Sequence, residues 1–309
     1  MEDQGAVNLG FIQLFYDRCI LSINAVEVWG MSSEIEFANK ILKRRYAIPT
    51  EHGSWIWWIG PLLIGAAAAK TFSLDLIWLV LAMLAAFLFR QPLTLLVKTY
   101  SGRRPESDRA PALIWGALYG VIALAGFVTL LAHGHTVLLY LVVPGVPVFG
   151  WHLWLVSRRT ERGQRGIEIV GAGVLALAAP AAYWVNGGSD NTLAWILWGL
   201  TWLQSAASIV LVYLRLAQRK QSQAGSIGAR LFAGLRTLAY HVFNLALAIF
   251  FYLRGQIPLL VALAFAVMLI DATDAILQPA VGVKPTRIGV RQLIMSSLFV
   301  VVSVTAFMI

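Results

Sequence analysis

The chain has a single cysteine, Cys19, among 309 residues. It therefore cannot close an internal disulfide or build a cysteine metal site. Charge is almost as scarce: Asp, Glu, Lys and Arg make up 13%, against about 25% in a soluble domain. So little polar surface cannot cover a water-soluble globule, whereas a chain solvated by lipid needs no such cover. Acidic residues are the scarcest charges, 15 against 24 basic, and the net charge is +9. No P-loop, GxSxG, HExxH or CxxC pattern occurs, so the chemistries that those motifs carry find no foothold. His133 and His135 form an isolated HxH pair, which reads as a plain turn because two imidazoles alone make a poor metal site.

Apolar residues fill the space, at 59% with 12 tryptophans. Runs of roughly 20 apolar residues match a helix crossing a bilayer core about 30 Å thick. Such runs cover 55–69, 74–97, 113–132, 137–156, 167–185, 193–216, 235–253, 258–277 and 288–309. The expectation is an all-α, polytopic transmembrane bundle of about nine spans, with short polar turns making consecutive helices antiparallel neighbours. It occupies 49–309. Residues 1–48 carry charge at ordinary density and read as a cytoplasmic leader, partly amphipathic or disordered; 11–23 is mildly apolar but holds Asp17 and Arg18. Glu2 and Asp3 stand where a secretory signal has its basic region, so the start reads as a leader, with Met31 an alternative start.

The basic residues set the orientation. With the segment before the first span in the cytoplasm, all of the 24 except Lys70, Arg254 and the intramembrane Arg90 fall on the cytoplasmic side. That is the positive-inside pattern, and it places the N-terminus inside and the C-terminus outside the cytoplasmic membrane. The charge then reports topology and attraction to anionic lipid, and no nucleic-acid partner is needed to explain it.

Ionisable groups within spans cost roughly 2.5–3.5 kcal/mol each and are functional candidates by default. Arg90, Thr94 and Lys98 recur at spacing four, one helical face. Gln204, Ser208 and Arg215 share a face, as do Thr237, His241 and Asn244, and Asp271, Asp274 and Gln278. Glu168 opens the fifth span; Glu51 and His52 open the first. Stripes at similar depth point to one cavity facing the cytoplasm. Asp271 and Asp274 serve either a ligand or proton site, or buried ion pairs with Arg90 or Arg215. The loops add Arg103, Arg104, Arg158, Arg159, Arg162 and Arg219, whose guanidinium forks fit phosphate oxygens or simply mark topology.

The stretch Pro49-Thr50-Glu51-His52-Gly53-Ser54-Trp55, followed by Pro61 and Gly65, resembles the opening of the YwiC-like family of bacterial membrane proteins. Arg90-Gln91-Pro92 and the Lys284-Pro285-Thr286-Arg287-Ile288-Gly289 segment are similar too, so the resemblance covers 45–309. That family has no settled activity, so the resemblance implies no particular reaction, cofactor or catalytic residue. A looser resemblance, in helix count and loop placement, is to UbiA-type prenyltransferases. Their loops after helices two and six carry Asp-rich motifs for Mg²⁺ and a prenyl diphosphate. Here those loops read KTYSGRRPESD at 98–108 and YLRLAQRK at 213–220, and neither is Asp-rich. The resemblance implies an isoprenoid or other phosphate-headed lipid held directly by basic residues, on a scaffold that is either a prenyltransferase-like enzyme or a binder. Two other readings remain: a proton-coupled secondary transporter, and a non-enzymatic assembly or accessory protein.

Overall fold

The computed structural model describes residues 41, 43–49, 52–160 and 164–309. Among these there is no β-strand. The α-helices are α1 (Arg44–Ala47), α2 (Ile56–Ala68), α3 (Asp75–Tyr100), α4 (Arg109–Ala132), α5 (Leu139–Ser157), α6 (Arg165–Ala176), α7 (Ala178–Val185), α8 (Asn191–Gln218), α9 (Ile227–Leu253), α10 (Leu259–Leu277) and α11 (Pro285–Met308).

Eight helical segments are long and apolar enough to cross a bilayer: Asp75–Tyr100, Glu106–Ala132, Thr136–Ser157, Arg165–Val185, Asn191–Gln218, Ile227–Leu253, Leu259–Leu277 and Pro285–Met308. They match eight of the expected runs, and α2 is the short ninth. Its 13 residues rise about 20 Å, less than a bilayer core, and a 3₁₀ turn, His52–Trp55, precedes it. The fifth expected span is one segment in two pieces. Pro180 has no N–H for the carbonyl four residues back, and the helix breaks at Leu177 between α6 and α7.

α2, α7 and α8 form the centre. α2 packs on α7 and α11; α8 packs on α6, α7, α9 and α11. α3 pairs with α4 and also meets α5 and α7, while α9 pairs with α10 and α10 with α11. Small residues allow the closest approaches, as expected where lipid supplies no hydrophobic drive between helices. A Cβ on Gly65 would stand 2.0 Å from the Ala179 carbonyl oxygen, so α2 and α7 touch backbone to backbone there. A Cβ on Gly126 would lie 3.1 Å from the Trp78 oxygen, which brings α4 close to α3. α5 lies at the rim, its apolar stretch only 6% buried, and it is the helix most given over to lipid.

Contacts near the helix ends sort the two faces. Arg103 donates to the Val156 carbonyl, Tyr213 to Glu168 at 2.7 Å and Arg219 to the Val283 carbonyl at 3.1 Å. These define one basic face. On the opposite face Thr71 donates to the Asn186 carbonyl, and His133 and His135 meet Asp75.

Candidate functional site

The entry to α2 is built first. The Gln91 amide of α3 donates to the Arg45 carbonyl at 2.8 Å, the Tyr119 hydroxyl of α4 to the Ala47 carbonyl at 3.1 Å, and the Trp115 indole to the Ile41 carbonyl at 2.8 Å. Gln91 and Tyr119 lie nine and ten residues inside the basic ends of their helices. At 1.5 Å per residue, the Arg45–Ala47 backbone therefore sits about 10–15 Å below those ends. Tyr46, Ala47 and Pro49 are buried. Further in, the Trp55 ring meets Phe87 of α3 edge to face at 5.0 Å. The leader thus ends by descending beside α3 and α4, whose side chains hold the Ile41, Arg45 and Ala47 carbonyls, while the Lys43 and Arg44 carbonyls close the α1 turn.

A polar cluster fixes this descent at the basic face. Tyr46 donates to Asp108 at 2.6 Å and accepts from Arg45 at 2.5 Å. Arg104 pairs with the other Asp108 oxygen at 2.9 Å. Burial first, and then the hydrogen bond to Asp108, pushes the Tyr46 phenol above its ordinary 10.0.

Arg90, Thr94 and Lys98 keep one face of α3, each half-buried. Arg90 lies ten residues before the helix end, about 15 Å inside, level with the Arg45–Ala47 backbone through its neighbour Gln91. Arg103 follows at the helix mouth, bound to the α5 end, and Arg104 is held by Asp108. Both loop arginines therefore have structural work in addition to any ligand. Glu51 and Arg162, and the side chain of His52, lie outside the described residues.

The second cluster joins α8, α9, α10 and α11. Arg291 of α11 donates to Asp271 at 2.9 and 2.6 Å and to Asp274 at 2.6 Å. This corrects the expected pairing with Arg90 or Arg215. Arg90 stands on α3, which packs elsewhere, and Arg215 instead donates to the Ala275 and Gln278 carbonyls at 3.1 and 2.8 Å. With Gln218 on Ala275 at 3.2 Å and Arg230 on Leu277 at 2.9 Å, it satisfies the open carbonyls at the α10 C-terminus, where cations are favoured. Asp271 is buried at 8% exposure. His241 is buried within electrostatic reach of Asp271 and donates Nδ1–H to the Thr237 carbonyl at 2.8 Å. Asn244 donates to the Leu203 carbonyl at 2.9 Å, and its Oδ1 has no partner among the described residues. Glu168 accepts from Tyr213, over whose ring Arg165 stacks.

The expected polar stripes thus separate into two groups. Arg90, Lys98, Arg103 and Arg104 gather around α3. Arg215, His241, Asp271 and Asp274 gather around α10, with Asn244 a turn further along α9. Arg291, Gln91, Tyr119 and Asp108 were not singled out by pattern. Arg291 carried a signal nonetheless, being a cation one turn inside an apolar run. The HxH turn has a partner as well: both imidazoles bind one carboxylate, His133 Nδ1 at 2.6 Å and His135 Nε2 at 2.8 Å from Asp75. Among the described residues, no group of three or more His, Cys, Asp or Glu is arranged to hold a metal ion.

No curated protein and no solved structure matches the chain. The Lys284–Gly289 segment lies outside the region that a family model matches. That region, residues 48–183, runs from the buried entry through α7 and is similar to the YwiC-like protein family.

Proposed function

We propose that this multi-pass membrane protein binds an amphiphile with an anionic, phosphate- or diphosphate-type head, of isoprenoid or related lipid class, at the basic half of α3. The reading places the basic face in the cytoplasm, the N-terminus inside and the C-terminus outside the cytoplasmic membrane. The observation that carries it is the position of Arg90. Its backbone lies about 15 Å inside a membrane-crossing helix, level with the isolated turn α1, whose Arg45 carbonyl is held by Gln91 of that helix. The chain leaves that turn in extended conformation at Ile48, and such backbone at membrane depth is tolerated where it is buried in protein or lines a polar cavity; an ionisable residue inside a span marks a ligand or ion pathway. Lys98 and Arg103 continue the positive charge to the helix mouth, a path along which a charged head enters while its tail stays in lipid. Without Asp-rich loops, cations in place of Mg²⁺ neutralise the head, and binding is the function assigned, with no transfer reaction attached to it.

The test is the thermal midpoint of the protein in mild detergent against prenyl diphosphates, with and without Mg²⁺. A ligand at 100 times its Kd that binds only the folded state adds about 2.7 kcal/mol. The reading requires a Mg²⁺-independent rise that Arg90→Gln removes. No rise with any member of the panel rejects it.

A second reading, proton-coupled secondary transport, is favoured by the ion cluster of Asp271, Asp274 and Arg291 inside α10 and α11. Uptake into proteoliposomes that follows an imposed pH gradient and is lost in Asp271→Asn supports it. Uptake indifferent to the gradient counts against it.

A further inference from the structure

The interface between α8 and α11 is polar over most of its depth. α8 supplies Thr201, Gln204, Ser205 and Ser208, all buried, at intervals that keep them on one face. α11 supplies Arg291, Gln292, Ser296 and Ser303. Ser296 and Ser303 are 3% and 1% exposed. Thr201 and Ser205 donate their hydroxyl protons to the Leu197 and Thr201 carbonyls of their own helix, which leaves the hydroxyl oxygens as acceptors.

Two breaks in packing lie on the row. One cavity of about 10 Å³ is lined by Arg215, Asp271, Arg291 and Gln292, with apolar wall from Leu211, Ala275 and Ile288. A second of about 10 Å³ lies where α2 also meets the seam: Thr201, Gln204, Ser205 and Ser296 give its polar wall, and α2 together with Phe299 and Val300 gives an apolar one. Each has room for about one water molecule, and each offers the two to four polar partners that hold a water in place; an apolar void of this size stays dry. Gln292, in the wall of the first, donates to Ser296, in the wall of the second, at 3.4 Å. Gln204 donates to Ser208 at 3.1 Å. Reckoned at 1.5 Å per residue from the basic ends, Arg291 stands about 9 Å deep, Ser296 about 17 Å and Thr201 about 26 Å. Ser303, deeper on α11, has a buried hydroxyl with no partner among the described residues. Beyond it buried Ala306 and Phe307 close the interface with apolar surface.

We propose that the α8–α11 seam is a water-filled half-channel, opening at the basic face beside Arg291 and bringing water and its protons to the depth of Thr201 and Ser296. The charged groups around its mouth are Arg291 on α11, Asp271 and Asp274 on α10, Arg215 on α8, and His241 and Arg230 on α9. The two aspartates balance Arg291 and Arg215, and Arg230, bonded to the Gly225 and Leu277 carbonyls, leaves one net positive charge at the mouth at neutral His241. The inference rests on neither functional reading above, since the seam lies away from α3 and needs no carried solute.

The test reads deuteron delivery directly. In a Cys19→Ser background, Ser296→Cys places a thiol in the seam, whose S–H infrared band moves when D₂O reaches it. The S–H bond breaks, an S–D bond forms from a deuteron of the solvent, and the proton leaves to water. Val210→Cys is the reference: it is buried at 2% exposure, faces away from the seam on α8 and lies nearer the basic end. The full-length protein is used in lipid nanodiscs, each variant eluting as the parent does. The half-channel requires Ser296→Cys to exchange at least about tenfold faster than Val210→Cys, the contrast between an open and a protected site. It also requires that adding Gln292→Leu, which blocks the step between the cavities, slow that exchange. Equal rates at the two thiols overturn the half-channel, and an exchange unaffected by Gln292→Leu overturns this route.

Discussion

Tyr119, ten residues inside α4, donates its hydroxyl to the carbonyl of Ala47 at 3.1 Å. An aromatic residue of a membrane-crossing helix thereby ties down the backbone that leads into the 49–55 motif. Tyr119→Phe removes the donor and leaves a buried carbonyl unpaired, which costs about 1–3 kcal/mol. The expected outcome is a lower thermal midpoint together with faster protease cleavage between residues 41 and 49, while the loops on the opposite face keep their cleavage rates.

Tyr46 gives a pH dependence. Its folded-state pKa is raised above the ordinary 10.0 by burial. The folded state therefore holds a phenolic proton that the unfolded chain releases. The stabilisation is fully present below about pH 10 and is lost as the pH climbs through the raised value. Unfolding in urea at a series of pH values should show a decline above about pH 10 that is shallower in Tyr46→Phe. Parallel declines would mean that the phenol contributes nothing.

Gly65 is the tightest approach in the bundle. A Cβ there meets the Ala179 carbonyl oxygen and not a movable side-chain tip, so Gly65→Val forces α2 away from α7. The expected cost is at or above the 1–3 kcal/mol of ordinary overpacking, read as a fall in thermal midpoint and in folded yield from the membrane.

Arg291 is the common partner of Asp271 and Asp274. Arg291→Met leaves Asp271, whose side chain is 7% exposed, without its cation. Breaking a buried pair costs about 3–5 kcal/mol. The cost here falls to about 2–4 kcal/mol, because the Arg291 and Asp274 side chains each keep 37% exposure. Adding Asp271→Leu should recover part of it, since no unpaired buried charge then remains. Additive losses in the double variant would show that the pair is not coupled.

The spans were legible because a bilayer demands about 20 apolar residues per crossing, and 74–97 or 193–216 meet that demand plainly. The partner of Asp271 was not. A carboxylate on one helix pairs with whichever helix lies beside it, and adjacency of α10 and α11 is a tertiary fact; Arg291 was counted with the loop cations it follows. The docking of Arg45–Ala47 was hidden for a different reason. Four residues, Arg-Arg-Tyr-Ala, have no period, and their place is set by Gln91 and Tyr119, polar atoms on two other helices. The HxH turn misled through its apparent isolation, since Asp75 stands 58 and 60 residues away. The resemblance of the opening motif to the YwiC-like family was legible at once, and the family match covers that motif.

The central claim is that a phosphate-headed amphiphile binds along the basic half of α3. The most direct measurement is photo-crosslinking with a diazirine-bearing prenyl phosphate, followed by peptide mapping of the labelled sites. The account predicts labels concentrated on α3 near Arg90 and Lys98 and on residues 43–49, displaced by excess unlabelled prenyl diphosphate and lost in Arg90→Gln. Labels spread over the lipid-facing surface, with α5 marked as strongly as α3 and no displacement, would contradict it.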